Sequence, residues 1–482
     1  MRGYETMRKH GDRAGRALVV GGVAFALAAC DLAVVNPGAI TDESLNDPEL
    51  MDRVVNGVAQ EFNQISDNTS FDVLRLSDEA AGSGSYFQTG RYRRGMQDWE
   101  ETQGRWAQIH ETIWTAQSAW FRMGTLDGFD RDANVDAARM WLLVGHAQRM
   151  FGETFCQVAY SVGESPEEPQ LGGILPREAA FDSAVVALNR AITIAQAVGG
   201  GAADEIVTAA RAGLAQAAVG KGDFATAITH SVQVPTAFVR EAHFNPNSNE
   251  NIIFNETHDR AEIGLYNTYA GTLAVQDPRV PYTVCGTFDD PLDPKNSTVT
   301  STGACTASVG ADGITAHLRQ EKYPEPNGDS DIPYATGVDM RLIEAEAALL
   351  ADDLPTFEAR INEVRNYYGL GDLTGTPATA GALEYPNAYD ANTGDVSDPG
   401  VDAWSILDAE RHLTLWGEGR RQFDLHRWDH PFLDGGIVFW DSEPRRVSCW
   451  PVPKDECTLN QTLRESNPAL MTGFGSETQP CS

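Results

Sequence analysis

The sequence predicts a mostly α-helical protein, built from about four tetratricopeptide-like helix pairs and interrupted by long irregular loops. Three observations lead there. Apolar residues recur at three- and four-residue steps in segment after segment, as in Met51, Val54, Val55, Val58 and Phe62. That is the period of a helix face turned towards a core. Small residues crowd a tight joint at Gly220-Lys221-Gly222-Asp223, with Ala209, Ala210, Ala212, Gly213, Ala215, Ala217 and Ala218 before it and Ala225 and Ala227 after it. Stacked helix pairs need small side chains where they approach closely. Between the helical segments lie stretches too long, and too rich in Gly, Asn, Asp and Pro, to be simple connections.

In chain order, the amino terminus is basic (Arg2, Arg8, Lys9, Arg13, Arg16), turns apolar from Ala17 to Ala26, and ends in Leu27-Ala28-Ala29-Cys30. The apolar run is too short to span a bilayer and reads as an export signal over residues 1–29. The small residues before Cys30 make it a lipoprotein signal, with Cys30 the acylated first residue of the mature chain; the alternative is a secretory signal with an incidental cysteine. Residues 30–46 then form a tether. The helical domain spans 47–482, with Asp47 as a cap and Pro48 in the first turn. Further helices are expected over 71–81, 101–123, 135–151, 177–198, 204–219, 224–232, 340–350 and 356–367. They divide the domain into N-terminal repeats (47–235), a loop-rich insert (236–335) and a C-terminal helical part (336–482).

The stretch 406–428, ILDAERHLTLWGEGRRQFDLHRW, concentrates the most information. Ile406, Ala409, Leu413 and Trp416 share a helix face, Gly417 and Gly419 interrupt it, and Phe423, Leu425 and Trp428 form a second apolar set. Half-buried charges are tolerable there when paired. Pairing therefore explains the carboxylates and guanidiniums better than an acid/base cluster, because arginine neighbours make carboxylates poor proton donors.

Taken together, Glu410-Arg411, Leu415, Glu418-Gly419, Arg421, Phe423-Asp424-Leu425 and Arg427-Trp428 resemble the C-terminal signature of the SusD/RagB-like outer-membrane nutrient-binding lipoproteins. Thr414 and Gly417 depart from the family pattern, which carries Glu and a bulky apolar residue there. Arg149-Met150-Phe151-Gly152-Glu153-Thr154, Arg341-Leu342-Ile343-Glu344-Ala345-Glu346-Ala347, Ile361-Asn362-Glu363-Val364-Arg365 and Trp450-Pro451-Val452-Pro453, with Glu456 and Asn460, resemble other family elements in the expected order. The resemblance implies a single large SusD-like domain, lipid-anchored at the outer membrane and facing the cell exterior. It implies binding of glycan or peptide nutrients and their delivery to a SusC-like TonB-dependent transporter, with no cofactor and no covalent chemistry. The repeat helices would face the barrel and the loops would hold ligand. Glu410, Arg411, Glu418, Gly419, Arg421, Asp424, Arg427 and Trp428 would serve structure. The family's ligand contacts lie in variable loops and do not carry over residue by residue.

Three irregular regions could bind. Residues 82–99, GSGSYFQTGRYRRGMQDW, place Tyr86, Phe87, Arg91, Tyr92 and Trp99 among Gly, Ser and Arg. Aromatics can stack on sugar rings while arginines bond hydroxyls or a carboxylate; equally, the aromatics could tuck under neighbouring helices. Residues 245–334 offer Tyr282, Phe288 and Tyr323. Residues 374–399 carry Asp390, Asn392, Asp395 and Asp398, whose spacing is not that of an EF-hand, so a solvated acidic loop is the simpler reading.

A net charge of −33 over 482 residues argues against nucleic acid and anionic membrane surfaces as partners, since either would repel an acidic protein. With Cys30 lipidated, six cysteines remain, an even number suited to disulfides in an exported chain. The local pairs Cys285–Cys305 and Cys449–Cys457 are expected, leaving Cys156 and Cys481. No C-x-x-C metal pattern occurs, and no metalloprotease, nucleophile-elbow, phosphate-loop or dinucleotide motif. No catalytic residue is assigned. Two alternatives remain: a secreted helical hydrolase of polysaccharide or peptide, and a helical-repeat adaptor of the cell envelope.

Overall fold

Helix pairs set the order of the chain in a computed structural model that describes residues 43–466, apart from 163–169, 274, 325, 376, 378, 397–400 and 435–445. The export signal, Cys30 and Cys481 lie outside the described residues. From Pro48 onward the chain forms one unit.

Its main helices are α1 (Met51–Leu76), α2 (Phe87–Arg93), α3 (Gln103–Met123), α4 (Val135–Thr154), α5 (Glu178–Val198), α6 (Gly201–Gly220), α7 (Phe224–Ser231), α8 (Gly337–Leu350), α9 (Leu354–Tyr367), α10 (Ala403–Thr414) and α11 (Arg421–Arg427). α1 packs on α3, α4 on α5, α6 on α7 and α8 on α9, so the pairs run as expected. Where α4, α5 and α6 meet, the helices approach closely: a Cβ on Gly145 would lie 2.5 Å from Leu188, and one on Gly213 would lie 2.9 Å from His146 and Leu188. Asp223 caps α7 and Asp353 caps α9 through hydrogen bonds to the Thr226 and Thr356 N–H groups.

Two local expectations are corrected. Leu50, the last residue of the 3-10 turn Pro48–Leu50, occupies the N-cap of α1, so Asp47 is not its cap. The separate helix expected from residue 71 is the last part of α1, because the apolar stripe continues unbroken through Phe62, Ile65, Phe71 and Leu74.

Strands come as short antiparallel ladders: β1 (Ala81–Gly82) with β5 (Ile263–Gly264), β2 (Gln157–Val162) with β3 (Gln170–Pro176), β4 (Val239–Ala242) with β10 (Ile332–Thr336), β6 (Tyr282–Val284) with β9 (Leu318–Gln320), and β7 (Gly286–Phe288) with β8 (Val299–Ser301). Most belong to the loop-rich insert, which is therefore structured by backbone pairing rather than by helices. Among the described residues no helix is long and apolar enough to cross a membrane.

Among the described residues the disulfides are Cys285–Cys305, as expected, and Cys156–Cys449, which replaces the expected Cys449–Cys457 and takes Cys156 from the pairing left to it with Cys481. The cause is a backbone bridge between Phe155 and Trp450, with Cys156 N–H donating to Trp450 O and Trp450 N–H to Thr154 O. It sets Cys156 beside Cys449. Cys457 is also disulfide-bonded, but not to Cys449.

Candidate ligand-binding groove

The charged signature forms the floor on which the site is built. Gly417 and Gly419 stand at φ 69° and 71° between α10 and α11, a left-handed conformation that glycine adopts without steric cost. This turn folds the two helices onto a ring of buried ion pairs. Glu410 accepts from Arg279 and Arg365, Arg411 binds Asp424 and Asp339, and Glu418 binds Lys322 Nζ at 3.0 Å. Arg427 reaches Glu346 and Asp424, and Trp428 Nε1 donates to Glu346 at 2.8 Å. Arg421 binds Asp78 and Asp408. Burial alone would raise the Asp78 carboxyl, but the Arg421 guanidinium and His412 outweigh it and hold it well below the usual range. Burial instead wins at Glu418, whose pKa is raised despite Lys322. Arg279, Lys322 and Asp78 are partners the sequence reading missed, since they lie far from the signature along the chain, and Asp408 was passed over beside it.

Over this floor the three irregular regions converge. β1 pairs with β5, Ser83 N–H donates to Glu262 O at 2.9 Å, and Asp312 N–H donates to Ser83 O at 2.8 Å. Ser85 binds the Glu262 carboxylate through its N–H and Oγ, each at 2.9 Å. A Cβ on Gly84 would lie 1.9 Å from a Glu262 oxygen, so only glycine permits this approach. The third region joins through Asn387, which donates to Ser405 O at 2.8 Å and to Asp408 at 3.1 Å, and through Tyr269, whose hydroxyl donates to Tyr389 O.

The convergence leaves a groove in two connected parts. The inner part is lined by Arg75, Asp78, Arg93, Tyr266, Phe432 and Arg446, with Thr315. The outer part is lined by Tyr269, Asn387 and His412. Asp78, Asn267, Thr268 and Tyr385 line both. Tyr266 packs edge-on against Phe288, and Tyr385 against Phe432, each with ring centroids 5.1 Å apart. Burial pushes the Tyr385 hydroxyl up to about 12, so it stays a neutral donor. A few polar groups between aromatic walls is what a site for a small polar ligand requires.

Of the residues singled out in the sequence, Phe87 is 80% exposed and Tyr86 is 43% exposed, at the start of α2; the same helix ends at Arg93 in the groove. Arg260 donates to the Tyr86 hydroxyl. Arg91 is held in ion pairs with Asp98 at 2.8 Å and Glu101 at 3.0 Å. Tyr92, Phe288 and Tyr323 are buried and cannot meet a ligand. Tyr92 turns inward beneath the Arg75 guanidinium, Phe288 backs Tyr266, and Tyr323 donates to Gly417 O at 3.2 Å. Trp99 packs on the core and Tyr282 is half-buried in β6; neither lines the groove. Tyr266, Asn267, Tyr385 and Asn387 were missed. Among the described residues no cluster of three or more His, Cys, Asp or Glu could hold a metal ion.

Helix pairs, a buried charged turn and a loop-built groove define a helical-repeat protein with a candidate groove outside its repeats. The SusD family model matches residues 334–436, which contain α8 to α11 and the charged signature, so this part of the chain is similar to the SusD family. The fold is similar to a SusD-like protein from Bacteroides fragilis (14% identity, 88% of this chain and 98% of that one covered, TM-score 0.61). It is also similar to a SusD-like carbohydrate-binding protein from Bacteroides vulgatus (12%, 86% and 97%, TM-score 0.58) and to a chitin-binding protein (11%, 89% and 97%, TM-score 0.58). No curated protein matches the chain.

Proposed function

We propose that this protein is a cell-surface nutrient receptor that binds glycan in the groove beneath Tyr266 and Tyr385 and delivers it to a SusC-like TonB-dependent transporter. The observation that carries the reading is the convergence of all three irregular regions on one groove with tyrosine walls and neutral amide and hydroxyl groups. Sugars are held by such combinations, the ring face stacking and the hydroxyls bonding. Binding of carbohydrate by similarly folded proteins supports glycan over peptide. Tyr86 and Phe87, exposed at the far end of α2, extend the contact surface beyond the groove. The protein acts by binding and release, without chemistry on the ligand. Cys30 carries the lipid that holds it at the outer membrane.

Affinity capture of tagged protein from detergent-solubilised outer membrane tests the delivery role. A stoichiometric large TonB-dependent barrel is the expected companion. Recovery of the protein alone from such fractions contradicts the transporter partnership.

A further inference from the structure

We propose that the groove selects saccharides bearing a carboxylate, with Arg93 and Arg75 forming the anion-binding end. The inference rests on the ligand-binding reading of the same groove and adds the chemical class of the ligand.

It follows from how the charged groups are placed. Arg75 is only 6% exposed and lines the inner groove. It binds Asp72 through Nη2, while its Nε is buried with no partner. Asp72 is not its alone: Arg105 Nε binds the other carboxylate oxygen at 2.6 Å. Asp72 is thus shared between two guanidiniums, and Glu256 is the other carboxylate that feels the charge of Arg75. Arg93 donates from Nη1 to the Gly82 carbonyl at 3.4 Å, and its nearest carboxylate, Asp312, is 3.9 Å away. That carboxylate is occupied by the Thr315 hydroxyl at 2.7 Å and by the Ile314 and Thr315 N–H groups. The Arg93 Nε is likewise buried without a partner. Arg446 brings a third guanidinium and donates to the carbonyls of Leu76, Tyr92 and Arg93. Asp78, the one acid among the described lining residues of the inner part, has both oxygens bound by Arg421.

Among the described lining residues the inner groove thus carries three guanidiniums and one carboxylate, inside a protein of net charge −33. Repulsion from that overall charge is screened beyond about 8–10 Å in physiological salt. A carboxylate in contact with a partly buried guanidinium gains a charge-assisted hydrogen bond that screening hardly weakens. The outer groove offers Asn267 beside Tyr385, neutral partners for ring hydroxyls. A sugar ring with a carboxylate fits both ends, which is the chemistry of a uronic acid.

Affinity electrophoresis tests it, with polygalacturonate, alginate and hyaluronan as acidic probes and galactan, laminarin and dextran as neutral ones. Arg93→Gln is the variant of choice because Arg93 is partly exposed, whereas Arg75 is packed against Phe71 and Tyr92; Arg93→Lys retains the charge. At least one acidic polymer should retard the parent. Arg93→Gln should weaken that binding about tenfold, Arg93→Lys should recover part of it, and carboxyl reduction of the polymer should abolish the difference between parent and variant. Retardation by neutral polymers alone, or acidic binding indifferent to Arg93→Gln, overturns the acidic-ligand inference and leaves the glycan-binding reading standing. Retardation by none of the polymers overturns both.

Discussion

Arg421 donates from Nε and Nη2 to the two carboxylate oxygens of Asp78, each at 2.7 Å, across a sequence separation of 343 residues. This bidentate pair ties the loop after α1 to the start of α11 and holds Asp78 in the lining of the groove. Removing one partner of a buried pair strands the other charge, so Arg421→Gln should cost about 3–5 kcal/mol of stability, measured by chemical denaturation. The Asp78 carboxyl is held below its ordinary range by Arg421 and His412 against the opposing effect of burial. A depressed folded pKa stabilises the fold above the unfolded value near 3.9, and that contribution is lost as pH falls further. Acid denaturation of the parent should steepen below about pH 4, with the Arg421→Gln variant showing less of this steepening.

Glu79 behaves in the opposite sense. Its Oε1 accepts Gly417 N–H at 3.0 Å and its carbonyl accepts Trp416 Nε1 at 2.8 Å. Burial raises its pKa to about 8. A raised folded pKa favours the fold fully below the unfolded value of about 4.3, and the advantage is lost as pH rises towards 8. Glu79→Gln keeps the carbonyl acceptor and removes the ionisation. Thermal melts should show the variant matching the parent at pH 5 and exceeding it at pH 8.

Tyr92 separates burial from binding. It is 1% exposed, with Gln97 donating to its hydroxyl and Arg75 stacked over its ring. Tyr92→Ala should lower stability by about 3–5 kcal/mol, as large-to-small changes in cores do. Phe87→Ala, at an exposed position, should leave the melting temperature within error and be felt only in ligand affinity.

The Cys156–Cys449 disulfide fixes the C-terminal segment beside α4. Cys449→Ser should destabilise the fold by about 2–5 kcal/mol. Equal stability of parent and variant under non-reducing conditions would deny the bridge a structural role.

How much of this was legible in the sequence follows range. The helix pairs could be read because their signal is local: a stripe such as Val55, Val58 and Phe62 repeats within a few turns. The charged turn could be read because both glycines and most of its ions fall within one short stretch. Its remaining partners, Asp78, Arg279 and Lys322, come from distant segments, and nothing around them marks the pairing. Tyr92 was misread because residues 87–93 form a helix too short to show a period, so its inward face was invisible. Tyr385 was passed over because the acids of its loop drew attention, while its place depends on Phe432 and Asp78 across the groove. Cys449 lies close to Cys457 in sequence, but the backbone bridge at Phe155 and Trp450 decides its partner.

The central claim is that the groove at Tyr266 and Tyr385 holds glycan. Isothermal titration of the parent and of Tyr385→Ala with an oligosaccharide that the parent binds tests it most directly. The account predicts at least a tenfold loss of affinity in a variant that remains folded by circular dichroism, as a tenfold change is about 1.4 kcal/mol, the scale of an aromatic stacking contact. Equal affinity of the two proteins would place the sugar elsewhere and contradict the account.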